Sequence, residues 1–63
     1  MYFVLYDLDD IPVCYLEDLD ELCDLYLPGY RKRDILRRFR HSEYDFIRIL
    51  VDHIPYNLYM FLE

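Results

Sequence analysis

Apolar and polar positions alternate in short blocks at the start of the chain, and these blocks predict a β-hairpin. The runs YFVLYD and IPVCYL, rich in β-branched and aromatic residues, flank an Asp-rich break. Asp7, Asp9 and Asp10 suit the turn, because a short carboxylate accepts hydrogen bonds from nearby backbone N–H groups. Pro12 has no backbone N–H, so we expect it at the start or on the exposed edge of the second strand.

The next segment, DLDELCDLYLPG, has the period of an amphipathic helix. Asp18, followed three residues later by Glu21, has the spacing of an N-terminal capping box. The pair Pro28 and Gly29 predicts the end of the helix. Four apolar residues at helical spacing form the stripe that we expect to be buried: Leu19, Leu22, Cys23 and Tyr26.

The segment RKRDILRRFRH predicts a second helix, joined to the first by a short link that contains glycine. Ile35, Leu36 and Phe39 form its narrow apolar stripe. Asp34 and Arg38 stand four residues apart, so we predict that they pair. A helix pair with so short a link is typical of a helix-turn-helix unit.

The last third of the chain permits two interpretations. Ser42 followed by Asp45 has the spacing of a cap that begins a third helix. The alternation of FIRILV, with its β-branched residues, favours a strand instead, followed by DHIP as a turn and YNLYMF as a partner strand. We predict the second hairpin.

The resulting order of elements is ββααββ, which predicts an α+β fold. We expect a helix-turn-helix-like helix pair to pack on one side of an antiparallel sheet of hairpins, in a single domain over residues 1–63. A chain this short buries only ~60% of its unfolded surface. Its content of 56% hydrophobic and 19% aromatic residues is nevertheless rich enough for a core that needs no disulfide or bound metal to hold it together.

Two cysteines and the N-terminal pattern bear on the compartment. Two cysteines, Cys14 and Cys23, are too few for the disulfide framework of a secreted domain, and a single disulfide between them is the alternative. The chain shows no signal-peptide pattern and no apolar run of membrane-span length. We therefore expect reduced thiols in a cytoplasmic protein.

Charge is sorted along the chain, which has a net charge of −6. Residues 1–30 hold eight acidic residues and no Lys or Arg, whereas residues 31–41 hold six of the seven Lys and Arg residues. A basic helix of this kind can enter a DNA major groove, but the field of the remaining acidic chain repels DNA. An acidic face can instead mimic phosphates at a site built for nucleic acid.

Residue types that carry catalysis or bind cofactors are not suitably arranged. A single glycine leaves no phosphate-cradling loop, and Ser42 beside His41 does not by itself make a nucleophile–base pair. Cys14, Cys23, His41 and His53 are spaced too widely for the close ligand pairs of a zinc site. We predict a protein that is not an enzyme and that needs no metal or cofactor.

The stretches YFVLYDLDD, CYLEDLDELCDLY, RKRDILRRF and FIRILVDHIPYNLYMF together resemble small proteins of streptococcal phages and prophages. The resemblance extends over nearly the whole chain and rests on pattern, size, acidity and aromatic content. Several proteins of this origin are anti-CRISPR inhibitors. The resemblance therefore implies a protein that blocks the effector nuclease of a type II system, and it carries no motif that marks binding residues.

We expect such an inhibitor to occupy a basic nucleic-acid channel of its protein partner with the outer face of the first helix. The alternative is a helix-turn-helix-like DNA-binding regulator that uses the basic helix 31–41. A third possibility is a phage component that assembles through its hairpin edges. The predicted partner-binding residues are Asp20, Glu21, Asp24, Tyr30, Arg33, Arg37 and Arg40.

Overall fold

The computed structural model describes residues 1–62 and confirms the predicted α+β order. Four strands form one antiparallel sheet in the order β2-β1-β4-β3. The first and last strands of the chain are therefore its central pair. The elements are β1 (Tyr2–Tyr6), β2 (Pro12–Leu16), α1 (Leu19–Tyr26), α2 (Lys32–His41), β3 (Phe46–Val51) and β4 (Ile54–Phe61).

Asp7 holds the turn of the first hairpin. Its Oδ1 accepts hydrogen bonds from the backbone N–H groups of Asp9 at 2.9 Å and Ile11 at 3.0 Å. Asp10 has a left-handed backbone with φ of 61°, which Asp tolerates better than most residues. Pro12 begins β2, an edge strand, where its missing N–H removes no essential ladder bond. The predicted roles of these residues are confirmed.

Helix α1 begins at the predicted cap. The carboxylate of Asp18 accepts hydrogen bonds from two backbone N–H groups of the first turn, at 2.9 and 3.4 Å. The predicted stripe is buried except at Tyr26, which is 39% exposed, and this part of the prediction is wrong. Leu27 is fully buried instead, because the helix ends at Tyr26 and Leu27 leaves the helical backbone conformation.

Helix α2 buries Ile35 and Phe39 of the predicted apolar stripe, and it buries Leu36 only in part. The predicted ion pair between Asp34 and Arg38 is wrong. The carboxylate of Asp34 lies 3.9 Å from the guanidinium of Arg37. Arg38 donates a hydrogen bond of 2.6 Å to the backbone carbonyl of Arg48 on β3. Because that carbonyl faces outward from the edge of the sheet, it offers Arg38 a shorter contact than an exposed carboxylate one turn away.

The C-terminal segment forms the predicted hairpin rather than a third helix. Its turn consists of Asp52 and His53, with left-handed φ values of 51° and 68°, as in a type I′ turn. The turn is therefore shorter than the predicted DHIP, and β4 begins already at Ile54.

Pro55 lies inside the central strand β4, where a proline is unusual. On the side of β4 that faces β3, Pro55 lies opposite Leu50, and the pairing of the two strands continues past it. On the other side the last residue of β1, Tyr6, pairs with Asn57. Strand β1 thus ends before it reaches Pro55, so no neighbour requires the missing N–H.

The core lies between one face of the sheet and the helix pair. Residues at alternate strand positions point toward the helices, which cover only that face. No polar or charged side chain is buried in residues 1–62. The core contains Phe3, Leu5, Leu19, Leu22, Cys23, Leu27, Ile35, Phe39, Ile47, Ile49 and Leu58.

Candidate partner-binding surfaces

The predicted partner-binding residues lie on the outer side of the two helices, on what we call the helix-pair surface. All of its charged residues are exposed, and its tyrosine is half-buried. Helix α1 supplies the acidic members and helix α2 the basic ones. The helix-pair surface comprises Asp20, Glu21, Asp24, Tyr30, Arg33, Arg37 and Arg40.

A shallow groove of about 630 Å³ between the helices brings four of these residues together. Lys32 also lines it, and its Nζ lies 3.9 Å from the carboxylate of Asp20 across the groove. Both side chains are more than half exposed, so this ion pair contributes only ~0–1 kcal/mol. Glu21, Arg37 and Arg40 are not part of the lining. The four predicted residues in the groove are Asp20, Asp24, Tyr30 and Arg33.

Tyr30 has a structural role that the sequence did not indicate. Its hydroxyl accepts a hydrogen bond from the backbone N–H of Leu50 and donates one to the carbonyl of the same residue, both at 3.3 Å. The helix link is thereby attached to β3. Only the ring of Tyr30 is left for a partner.

Side chains cover the outer edge of β3. The carbonyl of Phe46 accepts a hydrogen bond from Ser42 Oγ at 3.1 Å, and the carbonyl of Arg48 accepts one from Arg38. Tyr30 bonds the third outward-facing residue of the strand. Uncovered edges invite pairing with another chain. Assembly through this hairpin edge would therefore require these contacts to break.

The sheet face turned away from the helices, here called the open face, is a second surface that sequence reasoning missed. Its residues occupy the strand positions that alternate with the core positions. Two adjacent rows cross the sheet from β3 to β2. They read Phe46, Tyr59, Val4 and Tyr15 in the first row, and Arg48, Asn57, Tyr6 and Pro12 in the second.

Aromatic rings form a connected layer on the open face, with Tyr59 at its centre. The ring centroid of Tyr59 lies 5.0 Å from that of Phe46, 5.1 Å from Tyr6 and 6.0 Å from Phe61. Phe61 in turn stacks on Tyr2 at 5.0 Å. Such contacts each add ~0.5–1.5 kcal/mol beyond simple burial.

The signal for this layer is present in the sequence of the central strands. YFVLY and NLYMF carry apolar or aromatic side chains in both phases of the strand, rather than alternating with polar ones. Strands of this composition are typical of sheets covered on both faces. Val4 is only 8% exposed although it lies on the open face, because the surrounding rings cover it.

Opposite charges flank the open face. On β3, Arg48 donates a hydrogen bond from Nε to the neutral amide oxygen Oδ1 of Asn57 at 2.8 Å, and no carboxylate of residues 1–62 forms an ion pair with Arg48. At the opposite side, Asp10 lines a small depression with Tyr6 and Tyr59. The open face is thus basic along β3 and acidic at the β1–β2 turn.

The two cysteines are free thiols, and neither is activated. Burial raises the pKa of the Cys23 thiol, and the nearby carboxylates of Asp20 and Asp24 raise it further. Burial also raises the pKa of Cys14, and a hydrogen bond with the backbone of Leu5 offsets part of that increase. A raised pKa keeps both residues in the unreactive thiol form at neutral pH.

We predict that both thiols react slowly with iodoacetamide at neutral pH in the folded protein, on the order of tenfold slower than in denaturant. Because their pKa values are raised, the folded state keeps its thiol protons to higher pH than the unfolded state. The contribution of the two thiols to the free energy of unfolding should therefore be fully present below the unfolded-state thiol pKa of about 8.5 and should be lost as the pH rises above it. Cys23→Ala should weaken this pH dependence, as measured by urea unfolding. Equal labelling rates with and without denaturant would contradict the assignment.

Within residues 1–62, no three His, Cys, Asp or Glu side chains are placed to hold a metal ion. None of the described helices has the length and apolar character to cross a membrane. No family model matches the chain, and no curated protein or solved structure matches it. Function is therefore inferred from the geometry of the two surfaces.

Proposed function

We propose that the protein is a stoichiometric inhibitor that binds a nucleic-acid-handling enzyme of a bacterial host, most concretely a type II CRISPR effector nuclease. The observation that supports this is the acidic face of α1. Asp20, Glu21 and Asp24 are all exposed, and only Asp20 has an ion-pair partner among the described residues. These carboxylates are available to meet a basic surface.

Effector nucleases hold the phosphate backbone of their heteroduplex in a positively charged channel. Carboxylates one helical turn apart present repeated negative charge to such a channel. Asp20 and Asp24 repel each other at this spacing by a few tenths of a kcal/mol, and a cationic partner removes that cost. Arg33 and Arg40 would then meet carboxylates at the rim of the channel and fix the orientation.

The inhibitor is tested by titrating the purified chain into a programmed type II nuclease and measuring DNA cleavage. Cleavage should fall near an equimolar ratio. The double variant Asp20→Lys with Asp24→Lys should require at least about tenfold more protein for half-inhibition, which corresponds to ~1.4 kcal/mol.

A matched control has the same change in net charge elsewhere on the surface. Asp9→Lys combined with Glu43→Lys alters two exposed acidic residues outside the helix-pair surface and should inhibit like the parent chain. Unchanged cleavage across several type II nucleases would refute the proposal. If both double variants lost inhibition to the same degree, the proposed role of the acidic residues of α1 would be refuted.

A DNA-binding regulator remains the second candidate because of two arginines on α2. Arg33 and Arg40 are exposed, and their side chains form no hydrogen bond or ion pair with any of residues 1–62. If they contact phosphates, a gel shift at low salt should show binding that weakens steeply with salt, and Arg33→Glu with Arg40→Glu should abolish it. The acidic helix beside them disfavours this candidate, and absence of a shift at low salt would eliminate it.

A further inference from the structure

The open face has the composition of a covered surface, yet the described part of the chain leaves it uncovered. Aromatic rings from all four strands form a continuous layer that buries Val4. Among the described strands, the only charged side chain of this face is Arg48. Large exposed apolar patches on small proteins mark interaction sites. The next question is which partner complements this patch.

We infer that the open face is the interface of a homodimer, in which two copies pack their open faces together about a two-fold axis. This inference does not depend on the proposed inhibition. The helix-pair surfaces of both copies point outward in such a dimer and stay accessible.

The aromatic layers of two copies face each other about an axis that runs parallel to the strands between β1 and β4. This axis exchanges β3 with β2 and β4 with β1. It therefore places Tyr59 of one copy over Val4 of the second copy, in the same cross-strand row. Because rings already cover Val4, Tyr59 meets the ring layer of the second copy at that position, and Phe46 meets Tyr15 at the ends of the row.

Charge is self-complementary about the same axis. The second row runs from Arg48 on β3 to Pro12 on β2, beside the turn that contains Asp10. The axis places Arg48 of one copy near the turn that contains Asp10 in the other copy. The two-fold symmetry forms the same contact a second time. Nε of Arg48 is held by Asn57, so the guanidinium is oriented while its terminal nitrogens stay available.

The size of the open face also suits a second copy. The molecule measures 25 × 22 × 20 Å and has an accessible surface of 4618 Å². One of six sides of such a body, a sixth of this surface, is about 770 Å². One partner contributes roughly 800 Å² to a standard-size interface. Small domains often gain needed stability from oligomerisation. Because side chains cover the β3 edge, packing by faces is favoured over pairing through that edge.

Single-stranded nucleic acid is the other occupant that an aromatic sheet face suggests, since bases stack on such rings. A strand also needs a basic path for its phosphates. The open face supplies one arginine, and the chain has a net charge of −6. The observations therefore favour the second copy.

Sedimentation equilibrium over concentrations from roughly 1 µM to 1 mM tests the dimer. The mass should approach twice the monomer value of 7.9 kDa. Leu50→Glu, at a position on the open face that is 55% exposed, should weaken association by at least about tenfold. Leu25→Glu makes the same change on α1, where Leu25 is 63% exposed, and should leave association unchanged. A monomer at every concentration, or equal effects of the two variants, would overturn the inference.

A double-mutant cycle tests the predicted contact between copies. Arg48→Gln and Asp10→Asn should each weaken the dimer, and Asn is chosen because it tolerates the left-handed backbone of Asp10. The double variant should raise the dimer dissociation constant by less than the product of the two single fold-changes. If its fold-change equals that product, Arg48 and Asp10 do not contact each other across the dimer. A thymidine oligonucleotide should leave the dimer intact. Dissociation into complexes with the oligonucleotide would overturn the inference in favour of nucleic acid.

Discussion

Leu58→Ala is expected to remove most of the stability of the fold. Leu58 is fully buried in the central strand β4, and it packs in the cluster shared by the sheet and both helices. Truncating a buried leucine costs ~2–5 kcal/mol, since the lost burial and the remaining cavity add. A chain of 63 residues has only about 3–9 kcal/mol in total at ordinary stability per residue. One substitution therefore approaches the whole free energy of unfolding.

Urea unfolding followed by circular dichroism measures this loss. The matched control is Leu25→Ala, which removes the same atoms from a side chain that is 63% exposed on α1. This control should stay within ~0.5 kcal/mol of the parent chain, because surface substitutions away from special features are nearly neutral. Similar losses in both variants would show that Leu58 does not lie in the main core.

The elements of the fold could be predicted because their signals are local. Ile47 and Ile49 alternate with outward-facing residues in β3, as the period of two indicates. Asp18 caps α1 through backbone groups only two and three residues away. Errors arose where a local pattern met a competing contact. Arg38 stands at the right spacing for Asp34, but the carbonyl of Arg48 on a neighbouring strand binds it instead.

The open face could not be predicted in this way, because it depends on strand order. Val4 and Tyr59 are distant in sequence and become neighbours only through the pairing of β1 with β4. The sequence pattern indicates that β1 and β4 carry apolar side chains on both of their faces. It does not reveal which strands lie side by side. Exposure of the helix-pair residues was predictable from helical spacing. The hydrogen bonds of Tyr30 to Leu50 were not, since they join the helix link to a later strand.

Tyr59→Ala is expected to cost about 2–4 kcal/mol of folding stability, although Tyr59 lies outside the main core. Its ring contacts those of Phe46, Tyr6 and Phe61 and helps to cover Val4. Removal of the ring deletes three aromatic contacts at once in a central strand. Urea unfolding should be measured at low protein concentration, where self-association contributes least to the result.

Tyr44→Ala is the matched control for this prediction. Tyr44 is 68% exposed, and its ring contacts only that of Phe46 among the described residues, at 5.6 Å. Its loss should cost no more than ~1 kcal/mol. If Tyr59→Ala lowered the free energy of unfolding by as little as Tyr44→Ala, the ring layer would contribute little to the stability of the monomer. If the cost is large, as expected, the layer first stabilises the sheet of one copy. The rings of the layer are then already ordered in each copy before the two copies associate. Association therefore has to order few additional side chains.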